Sequence, residues 1–143
     1  MKTINPKQIA NTERKWFLID ANGQTLGRLA TKVAIMLKGK DRVDFAPHVD
    51  NGAYVIILNA GKINLTWKKE EDKEYHTHSQ FMGGLKTTTV REMREKKPTE
   101  IIKLAVRGML PKNRLKDDML VRLKLELWDT HKYAAQMPVT ITL

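Results

Sequence analysis

Apolar positions along the chain switch between two periods, and the switches mark its elements. Trp16-Phe17-Leu18-Ile19-Asp20 is a short continuous apolar run closed by Asn22-Gly23, which predicts a strand buried on both faces and then a turn. From Leu26 the spacing becomes helical: Leu26, Leu29, Ala30, Val33 and Leu37 form one stripe, while Arg28, Thr31, Lys32 and Lys38 face away. Thr25 stands where a cap is needed, Gly39 ends the helix, and only Ile35 breaks the polar face. Tyr54-Val55-Ile56-Ile57-Leu58 is the most hydrophobic run and predicts a central strand turned by Asn59-Ala60-Gly61. Ile63 and Leu65 then alternate with Lys62, Asn64 and Thr66, as in a shorter strand nearer an edge. A strand, helix, strand order with long connections favours parallel pairing and a right-handed crossover.

The second half repeats the alternation. Thr89 and Glu92 have capping-box spacing, which starts a short helix over Val90 to Lys97, and Pro98 fits the first position of the next one. Ile101, Leu104, Ala105 and Gly108 give that helix a single buried face. Gly108 suits a left-handed residue just past its end, Pro111 cannot continue it, and Met109 and Leu110 can fold back as an apolar plug. Asn113 is the expected N-cap of a further helix carrying Leu115, Met119 and Leu123. Near Val121 to Leu123 the period changes, and Leu123, Leu125 and Leu127 alternate as a last strand. Between these elements, 40–52, the mixed-charge run 68–74 and the stretch 75–86 read as loops, and Met1 to Thr12 as a loose arm. The pattern predicts an α/β fold, a three-layer α/β/α arrangement around a small, mainly parallel sheet of about four strands, in one domain spanning 1–143.

Charge narrows the partner. The 143 residues carry 26 Lys and Arg against 16 Asp and Glu, a formal net charge of +10. Such an excess favours polyanions, nucleic acid ahead of acidic membranes or acidic proteins. Cysteine is absent, which excludes disulfides and thiolate metal sites, and no apolar run approaches the roughly 20 residues that cross a bilayer. The start lacks the apolar core of a signal peptide, so the chain reads as a soluble internal protein.

Three stretches could carry chemistry. In Arg107-Gly108-Met109-Leu110-Pro111-Lys112-Asn113-Arg114, cations and the free amides of a helix start meet on one short loop, a combination that binds phosphate. Asp20 to Gly27 has the strand, glycine turn and helix start of a nucleotide site, but neither G-x-G-x-x-G nor G-x-x-x-x-G-K-[ST] is present; Gly23 then serves a turn, and Gly27 allows close packing. His76 and His78 resemble a metal pair, yet a zinc site needs about four ligands, and the stretch has no Cys and no H-E-x-x-H. With Tyr75, Gly83-Gly84 and Lys86, these histidines instead fit a loop lying on RNA. Rather than a metal site or proton relay at His48 and Asp50, Asp50 and Asn51 suit turn hydrogen bonds, and His48 after Pro47 can contact a neighbouring backbone.

Val106-Arg107-Gly108-Met109-Leu110-Pro111-Lys112-Asn113-Arg114-Leu115 closely resembles the signature of the bacterial large-subunit ribosomal protein thirteen family. Thr25-Leu26-Gly27-Arg28-Leu29-Ala30, Pro47-His48-Val49-Asp50, Asp72-Lys73, Tyr75, His78-Ser79 and Gly83-Gly84-Leu85-Lys86 are similar to the family's text in the same order, and the likeness runs from Trp16 to Pro138. The resemblance implies a cytoplasmic, non-enzymatic constituent of the large ribosomal subunit that binds ribosomal RNA, meets neighbouring ribosomal proteins, supports assembly and needs no cofactor or metal. It also implies that 129–143 is a C-terminal tail lying over the surface. Phosphate and RNA contacts are expected from Arg28, Lys32, Lys38, Lys40, Arg42, His76, His78, Lys86, Arg107, Lys112 and Arg114. Two other functions remain open at this point: an RNA-binding translational regulator outside the ribosome, and a small nucleotide-using enzyme.

Departures from the family's pattern are local. Trp67 stands where the family usually has glycine, Ala53 where aspartate is usual, and Lys116-Asp117 where glycine and a basic residue are usual. If that glycine needs positive φ, Trp67 should force another loop conformation, with its ring available to stack on a base.

Overall fold

The computed structural model describes residues 6–142. Its centre is a four-stranded, all-parallel sheet. Strand β1 (Trp16–Asp20) leads into helix α1 (Leu26–Lys38) and then β2 (Tyr54–Leu58), which pairs with β1 in parallel with Leu18 opposite Ile56. The charge run holds a four-residue helix, α2 (Lys69–Asp72), followed by an antiparallel pair, β3 (Glu74–His78) and β4 (Leu85–Thr89). Helices α3 (Val90–Lys96), α4 (Pro98–Met109) and α5 (Leu115–Val121) precede β5 (Leu123–Leu125), and β6 (Val139–Ile141) closes the order β5-β2-β1-β6.

One face of this sheet carries the core. Ile19, Val55, Ile57 and Leu123 point from the strands into the stripe of α1 (Leu29, Val33, Leu37), the buried side of α4 (Ile101, Ile102, Val106) and Met119 of α5. On the other face Trp16 stacks on Tyr54, with ring centroids 4.1 Å apart, and meets Tyr133 at 5.6 Å. β2 is buried as its composition predicts. β1 is only half-buried over its first three residues, because its outer neighbour β6 is short and exposed.

The fourth strand differs from the expected one. Ile63 to Leu65 forms no strand; Asn64 makes a single bridge to Thr25, accepting the Leu26 N–H at 3.0 Å and donating to the Gln24 carbonyl at 2.8 Å. The bridge satisfies the Leu26 N–H at the start of α1, and the Thr25 side chain makes no cap bond. The tail supplies the strand instead: three residues with only two short alternations, following Pro138, gave too little period to detect.

Helix ends show which capping expectations hold. Thr89 Oγ1 accepts the Glu92 N–H at 3.3 Å, and Pro98 begins α4. Gly39 takes φ +74° and donates to Ile35 and Met36 carbonyls. Gly108 is different: it lies inside α4 with ordinary φ, and Leu110, extended and buried, is the plug that ends the helix. Asn113 does not cap α5 with its side chain; Arg114 occupies the cap position.

A buried ion cluster locks the 40–52 loop under the end of α1. Arg122 donates to both Asp50 carboxylate oxygens, at 2.5 and 2.6 Å, and to the Leu37 carbonyl at 3.1 Å. Arg14 donates to the Gly52 and Asp50 carbonyls at 2.6 and 2.8 Å, and burial together with the nearby Arg122 lowers its pKa from the ordinary value. The Ala53 N–H bonds the Met36 carbonyl, so the loop that follows and Arg122 together take up orphan carbonyls at the helix end. Asp50, read from sequence as a turn residue, is thus the centre of a buried cluster, while Asn51 holds residues 7–9 of the N-terminal segment through two hydrogen bonds.

Candidate nucleic-acid interface

The stripe that buries Leu29, Val33 and Leu37 turns the opposite flank of α1 to solvent, and Arg28 and Lys32 stand exposed on it beside Gln24, Thr31 and Ile35. Lys38 lies 5.3 Å from the centre of the Phe45 ring, and Lys40 is exposed just past Gly39. Arg42 is already engaged: its Nε and Nη2 donate to Asp44 at 2.9 and 3.1 Å, a bidentate pair that raises Arg42 and lowers Asp44 from their ordinary pKa values. A phosphate at Arg42 must therefore compete with a carboxylate.

Packing of α4 on α1 joins the two basic stretches that sequence treated separately. Thr31 Oγ1 approaches Met109 Sδ at 3.5 Å, and Met109 lines a shallow depression with Thr31, Ala34, Ile35, Lys38 and Lys40. Because Leu110 is buried immediately after, the chain leaves α4 against the basic flank of α1, with exposed Arg107 just before and exposed Lys112 and Arg114 just after. Short α5 places Asp117 and Asp118 in its first turn, where they complement the helix dipole.

A second groove, of about 300 Å³, continues from the start of α1. Thr25, Gly27, Asn64 and Thr66 line it together with Ala105 and Met109, and α2 with the residue after it adds Lys69 and Lys73. Those lysines were hidden in sequence by the mixed-sign run. Their i, i+4 spacing is the signal that a helix would bring them to one side, while Glu70 pairs with Arg94 at 3.2 Å.

The stretch 75–86 is a hairpin rather than an irregular loop. Thr87, Thr88 and Thr89 are β-branched and pair opposite His76, Tyr75 and Glu74, a propensity that the histidines and glycines masked. His76 and His78 share one face of β3. His76 Nδ1 is 3.1 Å from Thr87 Oγ1, and His78 Nδ1 accepts the Gln80 N–H at 3.0 Å, which fixes the turn. Lys86 is exposed on β4, and Phe81 and Met82 stand exposed at the tip. Among the described residues, no group of three His, Asp or Glu side chains converges as a metal site would require.

Comparison with known proteins follows the same outline. A family model described as Ribosomal protein L13 matches residues 14–127. The chain is 47% identical over 143 residues to the large ribosomal subunit protein uL13 of Lawsonia intracellularis, covering 100% of this chain and 99% of that one. It is 48% identical over 143 residues to its counterpart in Halorhodospira halophila, with 100% of both covered. Against that of Brevibacillus brevis it is 49% identical over 138 residues, 96% of this chain and 95% of the other.

Proposed function

Since the chain belongs to the ribosomal protein L13 family and is a structural, non-enzymatic constituent of the large ribosomal subunit, we propose that it holds ribosomal RNA phosphates on the surface where α1 meets the end of α4. Its partners are ribosomal RNA and ribosomal proteins in general. Arg28 and Lys32 form one side of the surface, Lys38 and Lys40 its end, and Arg107, Lys112 and Arg114 the other side. His76, His78 and Lys86 reach RNA separately, on the hairpin. Arg42 contributes only in competition with Asp44 and is the weakest of the set.

The observation supporting this reading is the seat of Met109 against Thr31, which brings the end of α4, where Arg107, Lys112 and Arg114 lie close in sequence, to the flank of α1. A rigid surface of a few cations positions a phosphate backbone without reading bases, so recognition rests on the shape of folded RNA. The protein acts in the cytoplasm, supporting assembly of the subunit as a single domain; among the described residues no helix is long and apolar enough to cross a membrane. The test is sedimentation of the cellular pool in high salt. The protein should travel with large subunits, and a pool that sediments free of them would favour a regulator acting outside the ribosome.

A further inference from the structure

Trp67 is conspicuous and has no task in the surface described above. Its indole is 93% exposed, and its backbone sits in the left-handed region at φ +63°. A glycine would take that conformation without strain, whereas here the chain carries a bulky ring on it. For a large side chain that conformation is a genuine outlier, and it persists here without any aromatic partner among the described residues, whose ring pairs involve only Trp16, Tyr54 and Tyr133. Burial therefore does not account for the ring.

Its surroundings indicate what would cover it. Thr66 on one side lines the groove shared with Lys69 and Lys73, while Lys68 adjoins it on the other. Lys69 and Lys73 line that groove; of the acids between them, Glu70 is held by Arg94, while Glu71 and Asp72 are exposed. The same groove reaches Met109 and Gly27, and hence the surface proposed above. An exposed aromatic ring that follows groove-lining Thr66 and precedes Lys68 and Lys69 in the chain, next to a groove that reaches the proposed surface, has the makings of a base-stacking platform.

We infer that Trp67 stacks on an unpaired base of the ribosomal RNA, with Lys69 and Lys73 holding the adjoining phosphates, an inference that rests on the RNA-binding reading. The test measures affinity for refolded bacterial large-subunit ribosomal RNA across a salt series, for the wild type and for Trp67→Gly, Trp67→Phe and Trp67→Leu. Glycine suits the positive φ, so Trp67→Gly should fold and melt at or above the wild-type temperature. It should nevertheless bind about 5- to 150-fold more weakly, the range expected for removal of one stacked base, with the salt slope unchanged because no charge is removed. Trp67→Phe should recover most of the affinity and Trp67→Leu little of it. Wild-type affinity in Trp67→Gly would overturn the inference, and so would wild-type affinity in Trp67→Leu, which would make the interaction merely apolar. A wild-type protein that itself shows no salt-steep binding would instead remove the RNA-binding reading beneath it.

Discussion

Asp50→Asn should be among the most damaging isosteric changes in this protein. The Arg122 and Asp50 side chains are each only 5% exposed, and Arg14 beside them is 2% exposed. Replacing the carboxylate with an amide leaves the shape nearly intact but strips the negative charge from between two buried guanidiniums. One oxygen acceptor remains where Arg122 now makes two short bonds. Arg14 suffers less, since its bonds to the Gly52 and Asp50 carbonyls survive. The destabilisation should therefore resemble that of breaking one buried ion pair, about 3–5 kcal/mol. That is a large part of the roughly 5–15 kcal/mol holding a domain of this kind together, and it should lower the melting temperature by about 10–20 °C. Urea unfolding of the wild type, Asp50→Asn, Arg122→Met and the double variant measures both the destabilisation and the coupling between the two residues. The double variant should be less destabilised than the sum of the singles, because the uncompensated charge of Arg122 is gone. A destabilisation below about 1 kcal/mol in Asp50→Asn would refute the reasoning, showing that water or relaxation replaces the carboxylate at little cost.

Further outcomes follow from single residues. Gly52→Ala should cost at least about 3 kcal/mol in chemical denaturation, because an added Cβ would lie 1.7 Å from the Leu37 carbonyl oxygen, a backbone atom that cannot turn aside. Gly108→Val should change stability by no more than about 0.5 kcal/mol, since Gly108 is helical, valine is no poorer a helix former than glycine, and nothing lies within 4 Å of the added Cβ. Asp20 accepts the Asn22 N–H and the Asn59 side-chain N–H, both at 3.0 Å, which holds its pKa below the ordinary value. Its stabilisation is thus present above the usual carboxylate range and lost as pH falls through the depressed folded pKa, so Asp20→Asn should flatten the acid limb of a stability-against-pH curve. Neutralising Lys112 and Arg114 together should weaken binding to cognate and unrelated structured RNA by similar factors, as measured by filter binding.

Strong periods made the sheet and its main helices legible in the sequence. Leu29, Val33 and Leu37 on one stripe, and Val55 to Leu58 in one run, required burial whatever their neighbours. Tertiary packing decided what local pattern could not. Ile63 to Leu65 alternates like a strand, but the turn at Asn59 and the bridge at Thr25 leave it no partner to pair along. Asp50 looks like any turn residue until Arg122, 72 positions away, reaches it. At the candidate surface each cation could be named from its place on a helix or loop, whereas the joining of the α1 flank to the α4 end depends on how the two helices cross. Arg42 shows the converse, because a carboxylate two residues away claims it. Lys69 and Lys73 went unread because a mixed charge run has no apolar period, and the four-residue helix that sorts its signs exists only in the fold. Trp67, just before that run, showed its departure from the family's glycine in the sequence, but its positive φ is visible only in the structure.

Central to the proposed function is that cations on α1 and after α4 hold the same RNA. The direct measurement is the slope of log affinity against log salt for refolded large-subunit ribosomal RNA, comparing the wild type with the quadruple variant Arg28→Gln, Lys32→Gln, Lys112→Gln, Arg114→Gln. All four residues are exposed and make no ion pair within 4.0 Å among the described residues, so the melting temperature should hold. The slope should fall by about 0.7–0.9 for each phosphate no longer neutralised, about 3 in all. An unchanged slope in a fully folded variant would contradict the proposal, and would place the RNA on a different surface of the protein.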